Sequence, residues 1–253
     1  MKLHYKKTGN GNPVIILHGL FGMLDNWTMI AKELAENFTV YLVDQRNHGR
    51  SPHDEQFNYE VMAEDLMEFM ENENLDSAHI IGHSLGGKTA MKFAQNNPNY
   101  IEKLIVVDIA PKVYPVHHDE IIAALKSVNL THLKRRTEAD ETLKQSIKEE
   151  SIRQFLLKSL YWKSKGELAW RFNLKTIANN IENVGQENHD RQFNGETLFI
   201  KGGSSSYILK EDIEDIKLIF PNAKVREVPN ADHWVHAEQP KVFLQIVTDF
   251  LFD

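Results

Sequence analysis

The sequence contains no cysteine. Its absence excludes disulfide bonds, thiolate metal sites and cysteine nucleophiles. No apolar run approaches the ~20 residues that a membrane-spanning helix needs. The first residues, Met1–Lys6, lead into strand-like sequence instead of the apolar segment of a signal peptide. We therefore expect a cytoplasmic protein without a membrane span.

The chain also has fewer positively charged than negatively charged residues, 29 Lys and Arg against 36 Asp and Glu. The formal net charge is −7, whereas nucleic-acid-binding proteins are usually basic, so we expect no nucleic-acid partner. The chain has 253 residues, of which 42% are hydrophobic and 26% are charged. This composition can build a full core, and the length suits one large α/β domain or two small ones.

Strand-like and helix-like patterns alternate at both ends of the chain. The predicted strands are an edge strand at Lys2–Lys7 and six short apolar runs, Val14–Leu17, Thr39–Val43, Ala78–Ile81, Leu104–Val107, Thr197–Ile200 and Lys224–Val228. The predicted helices are Trp27–Leu34, Tyr59–Met70, Lys88–Asn96, Ile213–Ile219 and Val242–Phe252. Such alternation predicts an α/β fold, with a mostly parallel central sheet and helices on both faces.

The middle of the chain differs from its ends. From Pro111 to Lys175 we find only helical periodicity, with Ile152, Phe155, Leu156, Ser159 and Leu160 on one predicted helical face. We predict a helical cap at residues 111–190, called the cap segment below, inserted into a core made of residues 1–110 and 191–253.

The cap segment stands out by its charge. Residues 111–175 hold 13 Lys and Arg against 8 Asp and Glu, and the densest cluster is Lys134-Arg135-Arg136. These residues are either solvated helix faces or a surface that attracts an anionic substrate, such as an acyl thioester on a phosphate-bearing carrier.

One motif carries most of the chemical information. Gly82-His83-Ser84-Leu85-Gly86 is a Gly-x-Ser-x-Gly sequence, which follows a predicted strand and precedes a predicted helix. A sharp strand-to-helix turn exposes a serine hydroxyl and aims the amides of the helix N-terminus at developing negative charge. We predict that Ser84 is a nucleophile.

A serine nucleophile needs a base, and histidine suits that role near neutral pH. Among twelve histidines, His233 lies in a loop between the last predicted strand and the last helix. That loop belongs to the sheet edge at which Ser84 lies. We predict His233 as the base and rank His236 second.

The acid that orients the histidine has several candidates. The loop after the next-to-last strand, residues 201–207, contains no carboxylate, and Asp212 comes too late in the chain. Asp108 directly follows the strand after the nucleophile motif, whereas Asp44 suits a structural loop and Asp232 is the neighbour of His233 in the chain. We choose Asp108, with Ser205 as a hydrogen-bonding support.

Stabilising an oxyanion requires two aligned N–H donors. Leu85 follows the nucleophile and supplies one of them. The turn His18-Gly19-Leu20-Phe21-Gly22 follows the first buried strand. It can supply the other donor from Leu20 or Phe21, and the sequence leaves that choice open.

These motifs resemble the α/β-hydrolase superfamily. The broad resemblance rests on His18–Gly22, Asp44–Ser51, Gly82–Lys88 and Asp232–Glu238. A narrower resemblance to the YbfF-type esterases rests on Val106–Pro111, Phe155–Leu160, Trp170–Asn173 and Gly202–Tyr207. Together these segments cover nearly the whole chain.

The resemblance implies a Ser-Asp-His esterase or thioesterase that acts on short- to medium-chain acyl esters. It implies a helical cap and places the acid after the strand that follows Ser84. We expect Phe155, Leu156 and Trp234 at the substrate pocket, no cofactor or metal, and a monomer or homodimer. A cofactor-free C–C bond hydrolase or lyase stays open as an alternative, as does a non-catalytic receptor for a small ligand.

Overall fold

The computed structural model describes residues 1–115, 118–131, 133–189 and 191–253. In chain order its strands are β1 Tyr5–Thr8, β2 Pro13–Leu17, β3 Thr39–Val43, β4 Ala78–His83, β5 Ile101–Val107, β6 Leu160–Ser164, β7 Glu167–Trp170, β8 Thr197–Gly202 and β9 Ala223–Val228. A seven-stranded sheet has the order β1-β3-β2-β4-β5-β8-β9. Only β1 runs antiparallel to its neighbour in this sheet, pairing Tyr5 with Val43.

The helices, again in chain order, are α1 Thr28–Leu34, α2 Tyr59–Asn72, α3 Leu85–Asn96, α4 Asp119–Ser127, α5 Arg136–Leu143, α6 Glu150–Lys158, α7 Leu174–Asn179, α8 Ile181–Val184, α9 Asp212–Ile219, α10 Val235–Glu238 and α11 Pro240–Phe252. A 3-10 helix, Leu24–Trp27, leads into α1, and another, Pro98–Tyr100, leads into β5. The boundaries differ from the predicted ones by a few residues: α3 begins at Leu85 instead of Lys88, and the edge strand begins at Tyr5 instead of Lys2.

Helices cover both faces of the sheet. Successive strand residues point to opposite faces. In β2, Ile15 and Leu17 join an apolar cluster with residues of α2 and α3, while Val14 and Ile16 join a second cluster with α1 and α11. Because both faces are buried, the central strands are continuous apolar runs. The predicted α/β fold class is confirmed.

The cap segment forms helices α4 to α8 and a third apolar cluster with residues from the core. The prediction of an exclusively helical middle is wrong, because β6 and β7 form an antiparallel hairpin there. Helix α6 ends at Lys158, so Ser159 and Leu160 do not continue its apolar face. Tyr161 and Trp162 favour a strand, and their preference prevails over the apparent helical period.

The division into a core and a cap stays a prediction, and residue 190, its predicted end, lies outside the described residues. None of the helices in the described ranges combines the length and the apolar character needed to cross a bilayer.

Candidate active site

Ser84 occupies a tight turn between β4 and α3. Its φ of 52° and ψ of −115° are unfavourable for a residue with a side chain, and such strain is typical of functional positions. The turn is too crowded for larger neighbours. A Cβ on Gly82 would lie 2.3 Å from Gly86 O, and one on Gly86 would lie 2.4 Å from Leu17 O. The two glycines therefore permit the close approach that the turn needs.

The three predicted catalytic side chains come from the carboxyl ends of three strands of the sheet. Ser84 follows β4, Asp108 follows β5, and His233 lies in the loop after β9. The N–H of Ser84 donates to Val107 O at 3.0 Å, which joins the first two strand ends. Nδ1 of His233 lies 2.9 Å from Asp108 Oδ2. The fold thus brings the histidine and the chosen carboxylate into direct contact.

Asp108 is fully buried, and each of its carboxylate oxygens has a hydrogen bond. Gly202 N–H donates to Oδ1 at 2.9 Å, and Ser205 Oγ donates to Oδ2 at 2.5 Å, the oxygen that also contacts His233. A carboxylate with several donors is stabilised in its charged form. Asp108 can therefore hold a proton on Nδ1 of His233, which leaves Nε2 as the base.

The ring of His233 is held from one side by an aromatic ring. It stacks on Tyr207 with 3.8 Å between ring centroids and 17° between planes. Ser84 and His233 line the same cavity, although no hydrogen bond joins them in the described structure. Such contacts are often long in ligand-free enzymes and tighten when substrate binds.

Two of the rejected carboxylates, Asp44 and Asp212, have other partners. Asp44 accepts hydrogen bonds from the N–H groups of Leu24 and Arg50, as expected for a structural loop. Asp212 accepts from Lys112 Nζ at 2.6 Å.

The backbone N–H of Phe21 is already engaged. It donates to His48 Nε2 at 3.2 Å, while Phe21 O accepts from Ser159 Oγ at 3.0 Å. Nδ1 of His48 donates to Arg46 O, so Nε2 is free to accept, and burial lowers the pKa of His48 to about 3. Within the described residues Leu20 N–H has no acceptor. Of the two candidates, Leu20 is the one available to an oxyanion.

The second predicted oxyanion donor is the backbone N–H of Leu85, the residue after the nucleophile. Leu85 is the first residue of α3, and the first N–H groups of a helix have no acceptor within it. Leu20 follows β2, which lies beside β4 in the sheet. The available N–H groups of Leu20 and Leu85 therefore belong to adjacent strand ends.

Two histidines near the site are structural. His83 Nε2 donates to the backbone oxygen of His233 at 2.9 Å, and burial lowers the pKa of His83 well below its usual value. His236 stacks on Trp27 with 3.8 Å between centroids, and burial lowers its pKa to about 3. Both rings are neutral near pH 7, and neither contacts Asp108 in the described structure.

A cavity of about 390 Å³ opens beside Ser84. The predicted pocket residues Phe155, Leu156 and Trp234 all line it, and Phe155 lies 5.2 Å from Trp234 between ring centroids.

Sequence reasoning missed His48, Ser159 and Tyr207 as neighbours of the site. His48 lies in the motif Asp44–Ser51, so the sequence marked it as a residue of interest. Its hydrogen-bond partner, the N–H of Phe21, lies 27 residues away in the chain, and the motif alone does not indicate that contact.

A family model described as the alpha/beta hydrolase fold matches residues 12–240. The chain belongs to this family. The YbfF-type resemblance is confirmed: the chain is 38% identical to Esterase YbfF of Escherichia coli, over 96% of this chain and 94% of that protein.

Two further similarities extend this result. The chain is 38% identical to the sn-1-specific diacylglycerol lipase ABHD11 of Danio rerio, over 96% of this chain and 79% of that protein. Among solved structures, a marine microorganism esterase matches with a TM-score of 0.96 and 47% identity, covering 98% of this chain and 99% of that one.

Proposed function

We propose that this protein is a serine ester hydrolase in which Ser84 is the nucleophile, His233 the general base and Asp108 the acid of the triad. The observation that carries the proposal is the hydrogen bond between His233 Nδ1 and Asp108 Oδ2, at a cavity that Ser84 also lines. The names of the similar proteins, esterase and lipase, agree with ester hydrolysis.

The reaction has two halves. His233 Nε2 takes the proton of Ser84 as Oγ attacks the ester carbonyl, and the N–H groups of Leu20 and Leu85 stabilise the resulting oxyanion. His233 then gives the proton to the leaving oxygen, which departs and leaves an acyl group on Ser84. Water, activated by the same histidine, releases the acid and restores the serine.

Short- to medium-chain acyl esters are the proposed substrates, and thioesters fit the same chemistry. The apolar lining of the cavity by Phe155, Leu156 and Trp234 supports an apolar substrate. In this proposal the cap segment supplies the wall of the pocket opposite the sheet.

A fluorophosphonate probe tests the nucleophile, together with p-nitrophenyl ester turnover. We expect one label, on the peptide containing Ser84, and a loss of roughly 10⁴-fold in kcat for Ser84→Ala and for His233→Ala. Ser77→Ala is the matched control, since the Ser77 hydroxyl contacts Glu102 outside the site. Labelling at another residue of active protein contradicts the proposal. Tight ligand binding without turnover would favour a receptor instead.

A further inference from the structure

Two short stretches near the ends of the cap segment, residues 110–114 and 185–188, lie side by side and are called the cap stems below. Two backbone hydrogen bonds of 2.8 Å join them, one from Tyr114 N–H to Gly185 O and one from Asn188 N–H to Pro111 O. The first stem begins two residues after Asp108. The stems therefore form one paired unit beside the proposed acid.

Lys88 fastens both cap stems to the nucleophile helix α3. Its buried amine donates to Lys112 O and to Gln186 O, both at 2.6 Å. Its carbonyl oxygen accepts from Asn188 Nδ2 at 3.2 Å. Lys88 lies four residues after Ser84, which is about one helical turn. These contacts therefore hold the cap stems close to the nucleophile.

Tyr114 connects the first cap stem to the loop after β8. Its hydroxyl donates to Tyr207 O at 2.6 Å and accepts from Ala110 N–H at 2.9 Å. The two tyrosine rings also pack against each other, with 5.5 Å between their centroids. Because the hydroxyl is bonded to the stem and to the loop at once, a shift of the stem moves Tyr207 with it.

Tyr207 in turn contacts the proposed base and a partner of the proposed acid. Its ring stacks on His233, with 3.8 Å between centroids and 17° between planes. Its N–H donates to Ser205 Oγ at 3.2 Å, the hydroxyl that donates to Asp108. The hydrogen bond at Nδ1 holds one corner of the imidazole, but the ring can still turn about that contact. The stack fixes the plane of the ring and therefore the direction in which Nε2 points.

We infer that Tyr114 and Tyr207 are positioning residues through which the cap segment controls the orientation of His233. Alignment of Nε2 with Ser84 then requires that the cap stems are docked on the core. The inference rests on the proposed function, since it requires His233 as the general base. A misplacement of ~1 Å can cost about 10²-fold in rate, so a small shift of the stem is enough to affect catalysis.

Two hydroxyl deletions of matched chemistry test this link. Tyr114→Phe removes the hydrogen bond to Tyr207 O, whereas Tyr59→Phe removes a hydroxyl that donates to Val184 O at 2.7 Å. Each change keeps the aromatic ring and removes one hydrogen bond between the cap segment and the core. In the described structure only the first of these bonds reaches the loop that contacts His233. The measurements are kcat and KM for p-nitrophenyl butyrate.

We expect Tyr114→Phe to lower kcat ~10-fold with little change in KM, because the base is misaligned while the pocket keeps its lining. Tyr59→Phe should change kcat by less than ~2-fold, because the alignment of His233 does not depend on that hydroxyl. Urea unfolding of the two variants should give similar losses of stability, so that the difference in kcat has its origin in the alignment of the base.

Substitutions of Tyr207 itself separate the stack from the rest of the side chain. Tyr207→Leu removes the stack and should lower kcat ~10²-fold, whereas Tyr207→Phe keeps the ring and should stay within ~3-fold of the wild type. In the double variant Tyr114→Phe/Tyr207→Leu, kcat should fall no further than in Tyr207→Leu, because Tyr114 acts through a ring that is already missing. Tyr207→Met replaces Tyr207→Leu should that variant fail to fold.

Equal losses of kcat in Tyr114→Phe and Tyr59→Phe overturn the inference, as does a double variant whose loss is the product of the two single losses. A fluorophosphonate adduct on Ser84 distinguishes this failure from that of the proposed function. If the wild type forms the adduct and Tyr114→Phe behaves like Tyr59→Phe, only the positioning role fails. If active wild type forms no adduct, the proposed function fails as well.

Discussion

His48 accepts a hydrogen bond from the backbone N–H of Phe21, with 3.2 Å between the two nitrogens. Ser159 Oγ donates to the carbonyl oxygen of the same residue. Phe21 has a φ of 60°, a left-handed conformation that is unfavourable for a phenylalanine. The two contacts hold this residue in place, and with it the neighbouring N–H of Leu20. His48 and Ser159 are thus positioning residues for the proposed oxyanion site.

Replacing His48 by leucine removes the acceptor of Phe21 N–H. We expect kcat to fall ~10- to 100-fold with little change in KM. Removing one oxyanion donor lowers kcat by about 10²–10³-fold, whereas this variant keeps the donor and only displaces it. His79→Leu is the control, because His79 is a buried histidine of β4 with no hydrogen bond at Nδ1 in the described structure. Steady-state kinetics and the affinity for a trifluoromethyl ketone measure the effect. Equal losses in both variants would contradict the positioning role.

Asp108→Asn tests the acid of the triad. The amide presents an N–H toward His233, so the imidazole is held in the wrong tautomer and its charged form is no longer stabilised. We expect kcat for a p-nitrophenyl ester to fall by about 10²–10⁴. Ser205→Ala removes one hydrogen bond to Asp108 and should lower kcat less than Asp108→Asn does. Near-full activity in Asp108→Asn, with loss in Asp212→Asn or Asp232→Asn, would transfer the role to another carboxylate.

Sequence reasoning found the parts of the site that neighbouring residues determine. The motif around Ser84 carries its own glycines, and Asp108 directly follows a strand, so both positions could be predicted. The hairpin and the assignment of the oxyanion donor could not. Tyr161 and Trp162 favour a strand, but the hairpin also requires that they pair with Ala169 and Leu168, and the apparent helical period before them did not indicate that pairing. The engagement of Phe21 depends on His48 and Ser159, which lie 27 and 138 residues away in the chain.

Acid should unfold the protein through its buried histidines. Burial lowers the pKa of His18 to about 4 and that of His48 and His236 to about 3. As pH falls through 6.5, the unfolded chain takes up protons that the folded chain does not, so folding stability is lost. Each such histidine lowers the free energy of unfolding by about 1.4 kcal/mol per pH unit in the window between about 6 and 4.

Urea unfolding at pH 7, 6 and 5, followed by tryptophan fluorescence, measures this slope. In His236→Gln the slope of the unfolding free energy against pH should decrease by the contribution of one proton, about 1.4 kcal/mol per pH unit. His189→Gln, at an exposed position, serves as the control. An identical slope in wild type and His236→Gln would show that His236 is protonated in the folded state.

Lys88 should affect stability in the opposite pH range. Burial lowers the pKa of its amine from 10.5 to about 7. Between about pH 7 and 10 the unfolded chain holds a proton that the folded chain has lost, so the wild type should gain stability as pH rises. Lys88 Nζ donates to Lys112 O and to Gln186 O, both at 2.6 Å, and a neutral amine still has two N–H groups for these contacts. Urea unfolding should show this gain in wild type and in the surface control Lys126→Met, but not in Lys88→Met.

The basic cluster of the cap segment gives a prediction about thioesters. Lys134, Arg135 and Arg136 are all exposed, but Arg136 also donates to Leu160 O at 2.6 Å and supports the start of the hairpin. If Lys134 and Arg135 attract an anionic acyl carrier, kcat/KM for an acyl-CoA should fall with salt much more than for a neutral ester of the same chain. The reason is that the screening length shortens from ~30 Å at 0.01 M salt to ~8 Å at physiological ionic strength.

The double variant Lys134→Ser/Arg135→Ser should remove most of that difference in salt dependence, and it leaves Arg136 and its contact with the hairpin intact. Lys32→Ser/Lys241→Ser removes two exposed lysines outside the cap segment, and it should keep the difference because its charges do not belong to the cluster. The same salt dependence for both substrates in the wild type would mean that the cluster is an ordinary solvated surface. Loss of the difference in both double variants would instead assign the attraction to the overall charge of the protein, since steering by a local cluster requires that the position of the charges matters.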